Sequence, residues 1–143
     1  KLIKKDYKIK KIISSPLLRA RETALAVNES LGLDITYSQN LTEWPGVSNW
    51  HGLTIEEIKL TADYKSYNEK SITLIKTKEP LEKVYERVFK LFSNNTDTLF
   101  ISHQDTIRAF TYFYLKDENF SINRPDHCEL QLIKNQNILS MTV

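Results

Sequence analysis

The chain has one cysteine, Cys128, so an internal disulfide and a cysteine-based metal cluster are both excluded, and a reducing, cytoplasmic setting is expected. Three glycines and four prolines among 143 residues leave too few breakers for a chain built from many tight turns. Charge of neither sign dominates: 20 Lys and Arg stand against 18 Asp and Glu, a net +2 that argues against nucleic acid as the main partner. No apolar run approaches membrane-spanning length and no signal peptide is visible, so no membrane partner is expected. A G-x-S-x-G serine-hydrolase signature is missing. His51, His103 and His127 lack metal-ligand spacing, and no metal or other cofactor is expected.

What is present suits one globular domain spanning residues 1–143, with 41% hydrophobic and 27% charged residues. Six lysines crowd residues 1–11 and read as a solvated surface. The chain opens on Lys1 rather than Met, within what looks like an element, so an excerpt of a longer polypeptide is expected.

The organising stretch is T-L-F-I-S-H-Q-D-T-I-R-A-F, residues 98–110. Leu99, Phe100 and Ile101 form a short apolar run without helical period, as in a strand buried on both faces. A helical pattern follows from near Asp105. His103 therefore falls where a parallel strand hands over to a helix, at the sheet's carboxyl edge, where free N–H groups favour anions.

The remaining elements read in order. Ile12-Ile13 centre a strand. Ser15-Pro16 reads as a helix start, with Ser as N-cap and Pro at the first helical position. Leu17, Ala20, Ala24, Val27 and Leu31 then make one buried stripe that Gly32 ends. Ile35–Tyr37 is a strand. Residues 38–53 form a long loop holding Trp44 and Trp50, of the kind usually reserved for function. Thr54–Glu57 is a capping box. Residues 61–78 are ambiguous, with Tyr64 and Tyr67 on helical turns. An amphipathic helix after Glu79-Pro80 turns Leu81, Val84, Tyr85, Val88 and Phe92 inward. Residues 128–132 alternate as a strand, paired as a hairpin with 138–143. A Cys128–His127 nucleophile pair is disfavoured because neighbours in a strand point to opposite faces. The fold class is α/β: a three-layer sandwich whose mostly parallel sheet has helices on both faces and an antiparallel C-terminal hairpin.

Three segments now align: S-S-P-L-L-R-A-R-E-T-A (14–24), L-T-E-W-P-G-V-S-N-W-H-G-L-T-I-E-E-I (41–58) and I-S-H-Q-D-T-I-R (101–108). With K-E-P-L-E-K-V-Y-E-R-V (78–88), they resemble the histidine phosphatase superfamily, the phosphoglycerate-mutase-like proteins, over nearly the whole chain. The resemblance implies a metal-independent phosphomonoester hydrolase acting through a phosphohistidine, more a small phosphatase than a mutase. In it Arg19 binds the transferring phosphoryl group, Glu43 gives a proton to the leaving oxygen, and His103 steadies charge on the pentavalent phosphorus. Gln104 joins Arg19 in binding substrate through its backbone. The implied partner is a small phosphorylated substrate, and a homodimer is compatible with the sequence. Which loop selects the substrate is expected to lie within 38–53, 61–78 and 116–127.

The departures are specific. The family's R-H-G-x-T segment, which carries the phosphate-accepting histidine, does not occur in these 143 residues. Gln104-Asp105 replaces the usual Gly-Gly, His51 stands at an acidic position, and T-K-E-P replaces G-G-E-S. In the family the strand with the nucleophile lies between the equivalents of 98–102 and 128–133. Without it, buried backbone groups would stay unpaired at about 1–3 kcal/mol each. Three outcomes are therefore expected: another strand of the same polypeptide, a partner's strand, or a hairpin shifted directly onto 98–102. The competing functional reading is an inactive relative that binds a phosphorylated ligand or a protein partner.

Overall fold

The structure, a computed structural model, describes residues 7–68, 75–116, 124–134 and 137–141. The lysines at 1, 4 and 5, and parts of the segments 61–78 and 116–127, lie outside them. Its centre is β1 (Lys11–Ser14), which pairs in parallel with β2 (Ile35–Tyr37) on one side and β3 (Thr98–Ile101) on the other. Ile12 and Ile13 point to opposite faces, so this short strand seeds two cores at once.

On one face Ile12 meets Leu99, its partner in the β1–β3 register, together with Ala24 and the half-buried Val27 and Leu31. The last three come from α1 (Leu18–Leu31), whose small Ala20 and Ala24 are its buried residues. On the other face Ile13 and Phe100 meet Val88 of α4 (Leu81–Ser93) and Phe110 of α5 (Gln104–Tyr114). Helices thus cover both faces of a parallel sheet. Between β2 and α4 run the short helices α2 (Ile55–Lys59) and α3 (Ala62–Asn68). Thr54 and Glu57 form the expected capping box at α2. Gly32 ends α1 in the left-handed conformation, φ 65°, and returns its N–H to Asn28. Among the described residues no helix is long and apolar enough to cross a membrane.

One expectation at α1 fails. The helix begins at Leu18 with Leu17 as its cap residue and no side-chain cap, instead of starting at Ser15-Pro16. Pro16 has no N–H, so the first free amide is that of Leu17, and it reaches back to Ser15 Oγ at 3.3 Å. Ser15 is left outside the helix.

The hairpin of β4 (Leu130–Lys134) and β5 (Asn137–Met141) forms its own two-stranded sheet. Among the described residues it has no ladder to β3, so the third expected outcome, a hairpin shifted onto 98–102, is not seen. It is joined to the sheet by side chains: Leu130 packs on the Ile12–Leu99 core and Ile133 on the Ile13–Phe110 core. His127 and Cys128 sit in an exposed turn ahead of β4 rather than in a strand.

Candidate active site

Parallel strands β1 and β3 end together, and the chain leaves each toward the same edge. The ladder continues one step past β1, with the Ser15 N–H bonded to Ile101 O at 2.8 Å. Two residues beyond Ile101 stands His103, the N-cap residue of α5. Arg19 lies in the first turn of α1, just beyond Ser15. This common edge brings the two side chains together, with Arg19 Nε donating to His103 Nδ1 at 3.1 Å.

Glu43 arrives from the long 38–53 loop, which is fixed from below and from the side. Leu41, Trp44 and Val47 are buried anchors. Three side chains then hold the backbone around Glu43. Arg87 donates to Asn40 O at 2.6 Å while Glu79 grips the rest of its guanidinium at 2.8 and 3.1 Å. Ser102 donates to Leu41 O at 2.9 Å. Thr106, on the first turn of α5, accepts from Trp44 N–H and donates to Thr42 O, both at 2.9 Å. The hydroxyl of one residue therefore clamps both neighbours of Glu43 to the helix that starts at His103. Glu43 Oε2 comes to 3.7 Å from Arg19 and 3.8 Å from His103. Arg19, Glu43 and His103 form one cluster.

Gln104 is the first residue of α5, but its side chain faces the 124–125 segment. Its amide donates to Pro125 O at 2.7 Å and accepts from Arg124 Nε at 3.1 Å. His51 is exposed on the loop. Among the described residues no group of three or more His, Cys, Asp or Glu side chains is arranged to hold a metal ion.

The charges at the cluster are shifted in opposite senses. Burial chiefly, with the negative charge of Asp105 beside it, raises Glu43 above the usual carboxylate range, against the pull of the Trp44 N–H and Arg19. Burial also lowers His103, with Arg19 and Arg87 adding like charge, to about 4 from its ordinary 6.5. A carboxyl whose proton affinity is raised by burial, beside a neutral imidazole and an arginine, is a set suited to receiving a phosphate dianion and giving a proton.

A stability consequence follows with a definite sign. Between pH 6.5 and 4 the unfolded chain takes up the His103 proton and the folded protein does not. The contribution of neutral His103 is complete above 6.5 and lost as pH falls toward 4. Glu43 acts in the reverse sense, its contribution declining as pH rises through its raised value. Urea midpoints measured at each pH are expected to fall more steeply for the wild type than for His103→Gln over that interval. Parallel curves would show that the ring is not held neutral.

Sequence reasoning missed Thr106 and Ser102 as clamps of the loop and Ser15 as a partner of His103. Thr106 and Ser102 had no separate signal, since a hydroxyl near a helix start reads as a cap wherever it occurs.

A family model described as the histidine phosphatase superfamily, branch 1, matches residues 2–136. No curated protein matches the chain. Among solved structures, mycobacterial hydrolase 1 superposes with a TM-score of 0.71 at 21% identity, over 87% of this chain and 66% of that one. A mycobacterial glucosyl-3-phosphoglycerate phosphatase gives 0.70 at 21% identity, over 88% and 68%. The Bacillus stearothermophilus protein YhfR gives 0.66 at 16%, over 94% and 73%. The chain thus spans about two-thirds of the length of the first two, and at such identities the likeness is one of fold.

Proposed function

The chain belongs to the histidine phosphatase superfamily, branch 1, and from that premise we propose that it supplies most of the active site of a metal-independent phosphomonoesterase that works through a phosphohistidine. The observation that carries this reading is the convergence of Arg19, Glu43 and His103 at the common end of β1 and β3. Phosphatases among the proteins of similar fold, one of them solved with inorganic phosphate, support it.

In this reading the phosphoryl group of a small phosphorylated substrate sits between Arg19 and His103, with the backbone N–H groups at the start of α5, Gln104 included, directed at its oxygens. Transfer is governed by position and by countering charge on the equatorial oxygens, work that Arg19 and a protonated His103 can share. Burial still disfavours the charged ring, but the dianion offsets the like charge of Arg19 and Arg87 and favours a proton on it. Glu43, whose proton affinity burial raises, takes the role of the acid that gives a proton to the departing alkoxide. The accepting histidine comes from an R-H-G-x-T segment outside these 143 residues, and the β3 edge that carries no ladder among the described residues is where its strand would pair.

The test is a polypeptide that carries such a segment ahead of Lys1. It is expected to release phosphate from phosphomonoesters in the presence of a chelator and to trap an acid-labile phosphoenzyme. Glu43→Gln should slow esters with poor leaving groups by about 10²- to 10⁴-fold while sparing aryl esters, whose leaving groups need no acid. Equal losses on both would remove Glu43 from the role of acid. Phosphate binding without any turnover would favour the inactive, ligand-binding relative.

A further inference from the structure

Ser15 is fully buried, and its hydroxyl lies 2.8 Å from Nε2 of His103, on the far side of the ring from Arg19. Its position is set by backbone alone. The Ser15 N–H is spent on Ile101 O at 2.8 Å, so Cα is tied to β3 two residues ahead of His103. The Leu17 N–H bonds the hydroxyl oxygen at 3.3 Å. That oxygen is therefore held still against the imidazole.

The other ring nitrogen fixes the tautomer. A guanidinium N–H can only donate, so Nδ1, at 3.1 Å from Arg19 Nε, is the acceptor. The ring proton is then on Nε2 and is donated to Ser15 Oγ. Resting on the phosphatase reading above, we infer that Ser15 is a positioning residue for His103: by accepting Nε2–H it keeps Nδ1 as the nitrogen that faces the phosphoryl group and takes up the proton when that group binds. Arg19, Arg87 and Glu43 are the charged groups around the ring, and Arg19 and Glu43 both approach it at Nδ1. Arg19 disfavours a proton on Nδ1 and Ser15 favours one on Nε2, so the two contacts hold the same tautomer. A ring whose proton could move to Nδ1 would lose its fixed polarity toward the phosphoryl oxygens.

Nitrogen-15 NMR of the histidine-labelled protein decides this, with inorganic phosphate as the probe. In the wild type without phosphate, His103 is expected to show a protonated Nε2 and an unprotonated Nδ1. Saturating phosphate should bring Nδ1 into the protonated range and leave Nε2 where it was. Ser15→Ala should give intermediate shifts at both nitrogens and weaken phosphate binding about tenfold. Ser15→Thr, which keeps the hydroxyl, should restore the wild-type pattern. A wild-type His103 protonated at Nδ1, or a folded Ser15→Ala with unchanged shifts and affinity, overturns the inference. If Ser15→Ala fails to fold, Ser15→Cys, a weaker acceptor of similar volume, is read in the same way, and unchanged shifts and affinity overturn the inference. Phosphate that leaves the wild-type ring untouched counts against the phosphatase reading, while the shifts without phosphate still test Ser15.

Discussion

His103→Ala, made in a polypeptide that also carries the phosphate-accepting histidine, is expected to lower kcat by about 10²- to 10³-fold. The reasoning rests on where the ring lies. It is buried to 6% exposure, gripped by Ser15 on one nitrogen, and presents the other beside Arg19. A donor fixed in this way costs no reorganisation as charge builds on phosphorus, and water entering the space left by alanine would screen that charge. KM should change much less than kcat, because Arg19 and the helix start still bind the ground state. The measurement is a steady-state assay on one phosphomonoester, with circular dichroism to confirm folding. A loss confined to KM would make His103 a binding residue and nothing more.

Arg108→Ala is expected to carry the largest stability loss, about 3–5 kcal/mol in urea unfolding. The Arg108 side chain is essentially enclosed, yet its guanidinium bonds Asp105 at 2.7 Å, bonds the Tyr67 hydroxyl, and lies over the Tyr67 ring at 5.1 Å. Tyr67 in turn donates to Asp105 at 3.0 Å, and its ring stacks parallel to Trp44 at 6.4 Å between centroids. Truncation would leave a carboxylate without its cation and a cavity beneath the loop that carries Glu43. Asp105→Asn combined with Arg108→Met should recover much of the loss, since removing both charges leaves neither stranded. Two variants with equal losses would mean that packing, not the ion pair, holds this corner.

This network shows where reading the chain ends. The strand–helix corner at His103 was legible because a both-sides-buried strand and an amphipathic helix have different periods and can meet only at residues 102–104. Arg19 was legible as a residue of a helix that starts at the same sheet edge, and Glu43 through the motif around it. Arg108, by contrast, closes the I-S-H-Q-D-T-I-R segment with nothing in the local pattern to mark it as buried. Its burial depends on Tyr67, 41 residues away, and on no local pattern. Ser15 misled for the same reason: a serine before proline reads as a cap, and only the pairing of β1 with β3 sets its hydroxyl against an imidazole. Long-range hydroxyl contacts carry no periodicity. The separate hairpin was also beyond local pattern, because alternation along residues 128–132 announces a strand without saying what lies beside it.

Arg19 already has partners inside the protein, His103 through a hydrogen bond and Glu43 through a pair 3.7 Å apart. An incoming phosphate must compete for a guanidinium that is occupied. Capture is therefore weakened by whatever those contacts are worth, and for a half-exposed pair that is modest. On the phosphatase reading the same contacts re-form as inorganic phosphate departs, and the weaker net hold on the anion shortens the dwell time of the product. In a site held together by complementary charge, an internal competitor tempers the grip on any anion that enters it.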